Sequence, residues 1–126
     1  MDQLLEKEVV GCFFPKELTA HFEIVNIKLL CNVEAKEEFF LIEFEEKNSL
    51  PEHLDKSEYE SKGFFEKTIQ DFSIRGKAVF LRIKRRRWRH KVTKESVSKD
   101  FSFIADGSKF TQELSDFLKE RGGDQA

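Results

Sequence analysis

Neither of the two cysteines, Cys12 and Cys31, belongs to a CxxC pair, which argues against both a disulfide framework and a zinc ribbon of paired thiolates. Histidine is as scarce: His21, His53 and His90 have no metal-ligand spacing, and His90 sits inside a basic run as one more donor. There is no GxxxxGK[ST] loop, no GxSxG elbow and no HExxH helix, so no phosphate cradle, nucleophile elbow or zinc protease site is expected. Asp71, Asp100 and Asp106 fall on three unrelated segments, and a chain without catalysis, cofactor or metal is the expectation. No apolar run approaches the roughly 20 residues that cross a bilayer. The start, "MDQLLEKEVVGCFF", carries acids where a secretory leader carries bases, so a cytoplasmic protein is expected.

What is present is phenylalanine and charge. Fourteen phenylalanines stand in 126 residues of which 37% are charged, enough for one domain with its own core. The net charge of −2 hides a division. Residues 1–66 hold sixteen acids and seven bases, net −9, whereas residues 67–126 hold fifteen bases and eight acids, net +7. Within 67–99, twelve bases face only Asp71 and Glu95. A polyanion is the partner that such a segment suggests.

Periodicity places the segment on a strand. "LLEKEVVGCFF" and "PKELTAHF" read as short helices, the second with Pro15 in its first turn, where the missing N–H does no harm. "FEIVNIKLLCNVEAKEEFFLIEFEE" reads as a β-hairpin around a polar joint, with Cys31 a buried thiol in alternation with Val25, Ile27, Leu29 and Val33. A polar, acidic connector follows, and extended character resumes at "FFEKTIQDFSI" up to a turn at Gly76. "AVFLRIKRRRW" and "SVSKDFSFIA" are two further strands joined as a second hairpin. Phe110, Leu114, Phe117 and Leu118 share one face of a closing helix, capped by Ser108 or Thr111 and stopped by Gly122. The expected fold is α+β over residues 1–126: an antiparallel sheet of four to five strands, short N-terminal helices and a C-terminal amphipathic helix. The acidic half, 1–66, holds the helices and first hairpin, and 67–121 the basic ribbon and last helix.

On the basic strand, Val79, Leu81 and Ile83 point inward, and Phe80, Arg82, Lys84, Arg86 and Trp88 outward. Arg85 and Arg87 take the inward parity, from which the strand is expected to leave the core near Lys84 and protrude. Arginine suits a phosphate or guanine partner because its guanidinium donates two parallel hydrogen bonds and stays charged. The DNA-contact set is therefore Arg82, Lys84, Arg85, Arg86, Arg87 and Arg89, with Trp88 stacking or packing and Arg75, Lys77 and Lys91 as weaker phosphate contacts. The same run also fits an acidic protein surface, the acidic half of this molecule, or that of a second copy. Glu34, Glu37, Glu38, Glu43, Glu45 and Glu46 border the first hairpin, as a surface that repels DNA or merely keeps the chain soluble.

"TIQDFSIRGKAVFLRIKRRRW" and "SKDFSFIADGSKFTQELSDFLKE" resemble the N-terminal region of the Aon-type insertion-sequence transposases of bacteria. The resemblance runs from about Thr68 to Glu120, and rests on the DFxIRGK turn, Asp71 to Lys77, the KRRRW run, Lys84 to Trp88, and the TxELxxFLK helix, Thr111 to Lys119. The basic strand is also similar to the opening of transposase zinc-ribbon domains, but Arg89 and His90 stand where those place cysteines. The resemblance implies a DNA-binding accessory module for transposon ends, encoded as a small separate reading frame, with cleavage by a DDE-type domain on another chain. The alternative is a protein-interaction module whose ribbon docks on an acidic surface of that catalytic chain or of a second copy.

Overall fold

A computed structural model describes residues 3–103 and 110–123, with side chains from 6 to 120 within them. Two short helices, α1 (Gln3–Gly11) and α2 (Lys16–His21), precede β1 (Phe22–Asn32) and β2 (Glu37–Glu46). After the connector come β3 (Tyr59–Ile74), β4 (Lys77–His90), the two-residue β5 (Ser96–Val97) and α3 (Gln112–Gly123). The sheet order is β1-β2-β4-β3, with β5 beside the end of β4. Every strand pairing is antiparallel except β2–β4, which is parallel. The α+β architecture is as the sequence suggested.

Two hairpins build the sheet. In the first turn, Asn32 Oδ1 accepts the backbone N–H groups of Glu34 and Ala35 at 3.1 and 3.2 Å, and Lys36 takes a positive φ of 56°. In the second, Arg75 and Gly76 have φ of 53° and 78°, the two left-handed residues that a tight two-residue hairpin needs. Gly76 adopts this freely, whereas Arg75 does so against its Cβ.

Alternation then sorts the faces. Phe44, Ile42, Leu81, Ile83, Val79 and Ile69 share the covered face. Phe14, Leu18 and Phe22 close over it from the N-terminal helices, and Phe103 from the segment after β5. Edge-to-face rings lock this layer, Phe14 on Phe44 at 5.5 Å and Phe22 on Phe101 at 5.0 Å. Glu17 of α2 anchors the late segment by accepting Ser102 Oγ–H at 2.8 Å and Phe103 N–H at 3.1 Å.

Several expectations need correction. The strand expected over "SVSKDFSFIA" is confined to Ser96–Val97, because Phe101 and Phe103 leave the sheet to cover the core. Cys31 is exposed, not buried: it pairs with Glu38 near the hairpin tip, beyond the reach of the helices. Thr111 is the cap of α3, its Oγ1 accepting Leu114 N–H at 3.3 Å, while Ser108 lies outside the described residues. On α3, Leu114 is buried but Phe117 and Leu118 are exposed.

Candidate nucleic-acid interface

β4 outlasts β2. The parallel seam ends at Glu45↔Lys84, and from Arg85 to His90 the strand continues beside β3, with β5 on its other side only at Trp88 and Arg89. The expected free protrusion is thus only half realised. Glu46, at the point where β2 stops, accepts Arg86 N–H on Oε1 at 2.8 Å and replaces the missing strand partner. Trp88 is 2% exposed, with its indole N–H donated to Asn48 Oδ1 at 3.1 Å, so it packs beneath the connector and offers no face to a base. Assigning Trp88 to a DNA contact is therefore corrected: the connector that covers it has no apolar pattern to announce the fact.

Most of the ribbon cations already have partners. Arg82 lies 3.6 Å from Glu43 and 3.2 Å from Glu66, and Lys28 lies 3.0 Å from Glu43, so a row Lys28–Glu43–Arg82–Glu66 of alternating sign crosses all four long strands. Arg85 donates to Lys99 O at 3.0 Å and lies 3.7 Å from Asp100. Arg86 donates to Ser61 Oγ at 2.7 Å and to Glu46 O at 3.3 Å, is 3.9 Å from Glu45, and sits 4.7 Å above the Phe64 ring. Arg89 donates to Glu60 at 3.1 Å. Glu43, Glu45 and Glu46 therefore belong to the basic strand's own environment and do not form a separate DNA-repelling surface.

Arg87 differs. Its Nε donates to Lys62 O at 3.2 Å and its guanidinium lies 5.2 Å from the centre of the exposed Phe65 ring, with no carboxylate paired to it among the described residues. Opposite it, β3 gains a residue between Ser61 and Phe64, a bulge that Gly63 makes at φ 85°. Phe65 pairs with Arg85 and Lys67 with Ile83, so Phe65, Lys67 and Arg87 share one face of the ribbon. Lys67 and Lys84 likewise have no carboxylate partner among the described residues. Lys91 is exposed just beyond the ribbon. Arg75 and Lys77 lie at the opposite end of β4, roughly 35 Å from Arg87 at the rise of an extended strand, and so lie outside one compact site with it.

The carboxylates record this field. The Lys28 hydrogen bond, and the charges of Lys28, Arg82 and Lys84, hold Glu43 below the ordinary range against the effect of burial. The Arg89 hydrogen bond does the same for Glu60. Burial pushes Glu46 up, opposed by the Arg86 amide and the charges of Lys99, Arg85 and Arg86. Phe65 and Lys67 were not evident as site residues, since only the pairing of β3 with β4 brings them to Arg87. Among the described residues no group of three His, Cys, Asp or Glu side chains is placed to hold a metal, and no helix is long and apolar enough to cross a membrane. Asp71 is buried against Thr111, Asp100 is exposed, and Asp106 lies outside the described residues. No protein-family model matches the chain, and no curated protein and no solved structure is found to match it.

Proposed function

We propose that this chain binds DNA as an accessory module of an insertion-sequence transposase, with cleavage and strand transfer left to another chain. The observation that carries the reading is Arg87 lying over Phe65 beside Lys67: two cations without carboxylate partners among the described residues and an exposed ring, on one ribbon face. Phosphates would supply the missing counter-charge, and the ring offers a stacking surface. Lys91 extends the contact, Lys84 lies on the opposite face of the strand, and Arg82, Arg85, Arg86 and Arg89 hold the ribbon in shape. The rival reading, a ribbon docked on an acidic protein surface, would draw on the same cations, and titration against DNA separates the two.

The test is fluorescence anisotropy of labelled duplex DNA, of transposon-end and scrambled sequence, over a range of salt. Log K is expected to fall linearly with log salt at about 0.9 per phosphate neutralised, and Lys67→Ala/Arg87→Ala to flatten that slope by nearly two such units. Arg82→Met is expected to leave the slope unchanged. Absence of binding at low salt, or a double variant that matches the parent, overturns the reading.

A further inference from the structure

The two outer edges of the sheet are finished differently. Along β3, the charges Glu60, Lys62, Glu66 and Lys67 and the bulge at Gly63 interrupt the edge, and the start of α3 covers part of it, with Thr111 N–H donated to Gln70 O at 2.9 Å. These are the devices by which natural sheets prevent edge-to-edge pairing. β1 has few of them: one irregularity, between Ile24 and Asn26 near its start. Its eleven residues carry only Glu23 and Lys28, and the Lys28 ammonium is folded across the sheet onto Glu43, so it does not guard the edge. Val25, Ile27, Leu29 and Leu30 are exposed on this strand, Leu29 at 53% and Ile27 at 37%. Ile27 and Leu29 pair with Ile42 and Phe40, so they prolong the core face past the point where the helices cover it.

We infer that β1 is a self-association edge, pairing antiparallel with β1 of a second copy about a two-fold axis at Leu29. The strand's own pattern selects both occupant and register. A two-fold pairing that keeps each face continuous must match residues of like parity. Past the irregularity between Ile24 and Asn26, the regular run Asn26–Asn32 is centred on Leu29. That centring sets Leu29 against Leu29, Ile27 against Cys31, Lys28 against Leu30 and Asn26 against Asn32 of the second copy. Apolar meets apolar on one face; on the other, amide meets amide, and Lys28, whose ammonium is held on Glu43, lies against Leu30. Centring on Lys28 would oppose two ammonium groups, which is disfavoured. The interface is one strand pair and its flanking side chains, at the small end of the size scale, so association in the micromolar range is expected.

Sedimentation velocity of the full chain over about a hundredfold range of concentration reads this directly. A monomer–dimer equilibrium is expected, with Leu29→Lys weakening it at least about tenfold, since it sets two ammonium groups face to face in each dimer. Leu29 is exposed, so the far-ultraviolet circular dichroism and thermal midpoint of this variant should match the parent; Thr68→Lys, on the β3 edge, should leave the dimer intact. Register is read separately: in a Cys12→Ser/Cys31→Ser background, Leu29→Cys should oxidise to a covalent dimer. Facing residues in antiparallel strands have Cα atoms about 4.5 to 5.5 Å apart, within disulfide reach. A monomer throughout, a dimer indifferent to Leu29→Lys, or a Leu29→Cys chain that dimerises without cross-linking overturns the inference. None of these outcomes depends on DNA binding.

Discussion

The two hairpins of this sheet share a geometry and divide the chemistry. The β3–β4 hairpin is long, basic and braced at almost every outward position: arginines on carboxylates, a tryptophan under the connector, and the start of α3 against its edge. The β1–β2 hairpin carries an apolar outer strand beside a glutamate-rich β2, is less braced, and among the described residues leaves its outer edge open. The contrast explains why a strand with six cations within ten residues is stable in the middle of a sheet. Its charge is spread over carboxylates from both neighbours, and among the described residues Lys77, Lys84 and Arg87 are its cations without a carboxylate partner.

Replacing Trp88 tests the bracing most severely. Trp88→Ala should cost about 3 to 5 kcal/mol in urea denaturation, whereas Leu29→Ala, on the open edge, should change stability by under about 0.5 kcal/mol. Equal effects would erase the contrast. Next is Thr111→Val, which removes the cap of α3 and leaves the buried Asp71 carboxylate without its hydroxyl donor at 3.0 Å. A loss of about 2 kcal/mol and faster proteolysis within α3 are expected.

The charged row gives a smaller effect with a pH signature. Arg82→Met should cost about 1 kcal/mol at neutral pH, less in high salt. Because Glu43 is held below its ordinary pKa of 4.5, its contribution is present above that value and lost as the pH falls through its lowered one, so Glu43→Gln should flatten the acid side of the stability curve. Glu46 has the opposite sign: its pKa is raised, so its contribution is full below the ordinary value and declines as the pH rises through the raised one. Glu46→Gln, which keeps an oxygen for the Arg86 amide, should therefore gain stability at neutral pH and change nothing in acid; urea midpoints against pH separate the two. Smallest is Arg75→Asn, expected to add about 0.5 kcal/mol by placing a residue tolerant of positive φ in the second turn.

Local signals carried the elements and little of their assembly. The inward set Val79, Leu81 and Ile83 was legible from alternation alone, as were the first hairpin, the turn at Gly76 and α3, because these depend on near neighbours in the chain; the second hairpin expected, between β4 and the segment after it, is reduced to the two residue pairs of β5. The parallel pairing of β2 with β4 was not, since nothing local distinguishes a parallel from an antiparallel neighbour. With it went the partners of the arginines: Glu43 and Glu45 alternate with Ile42 and Phe44 in plain view, but only the seam shows that they meet Arg82 and Arg86. Trp88 was read as outward for the same reason, its cover being supplied by Asn48 from a connector without pattern.

The seam has a further consequence, for the order in which the molecule assembles. Each hairpin closes through a short turn, but every β2–β4 pair joins residues 39 positions apart, from Phe39↔Ala78 to Glu45↔Lys84. Loop-closure entropy opposes those contacts most, so two preformed hairpins are expected to meet in one late docking step that sets the folding rate. Lengthening the connector 47–58 should slow that step in stopped-flow refolding while the turn at Arg75 and Gly76 forms as before. The sheet would then be two independent pieces until the moment its central seam closes.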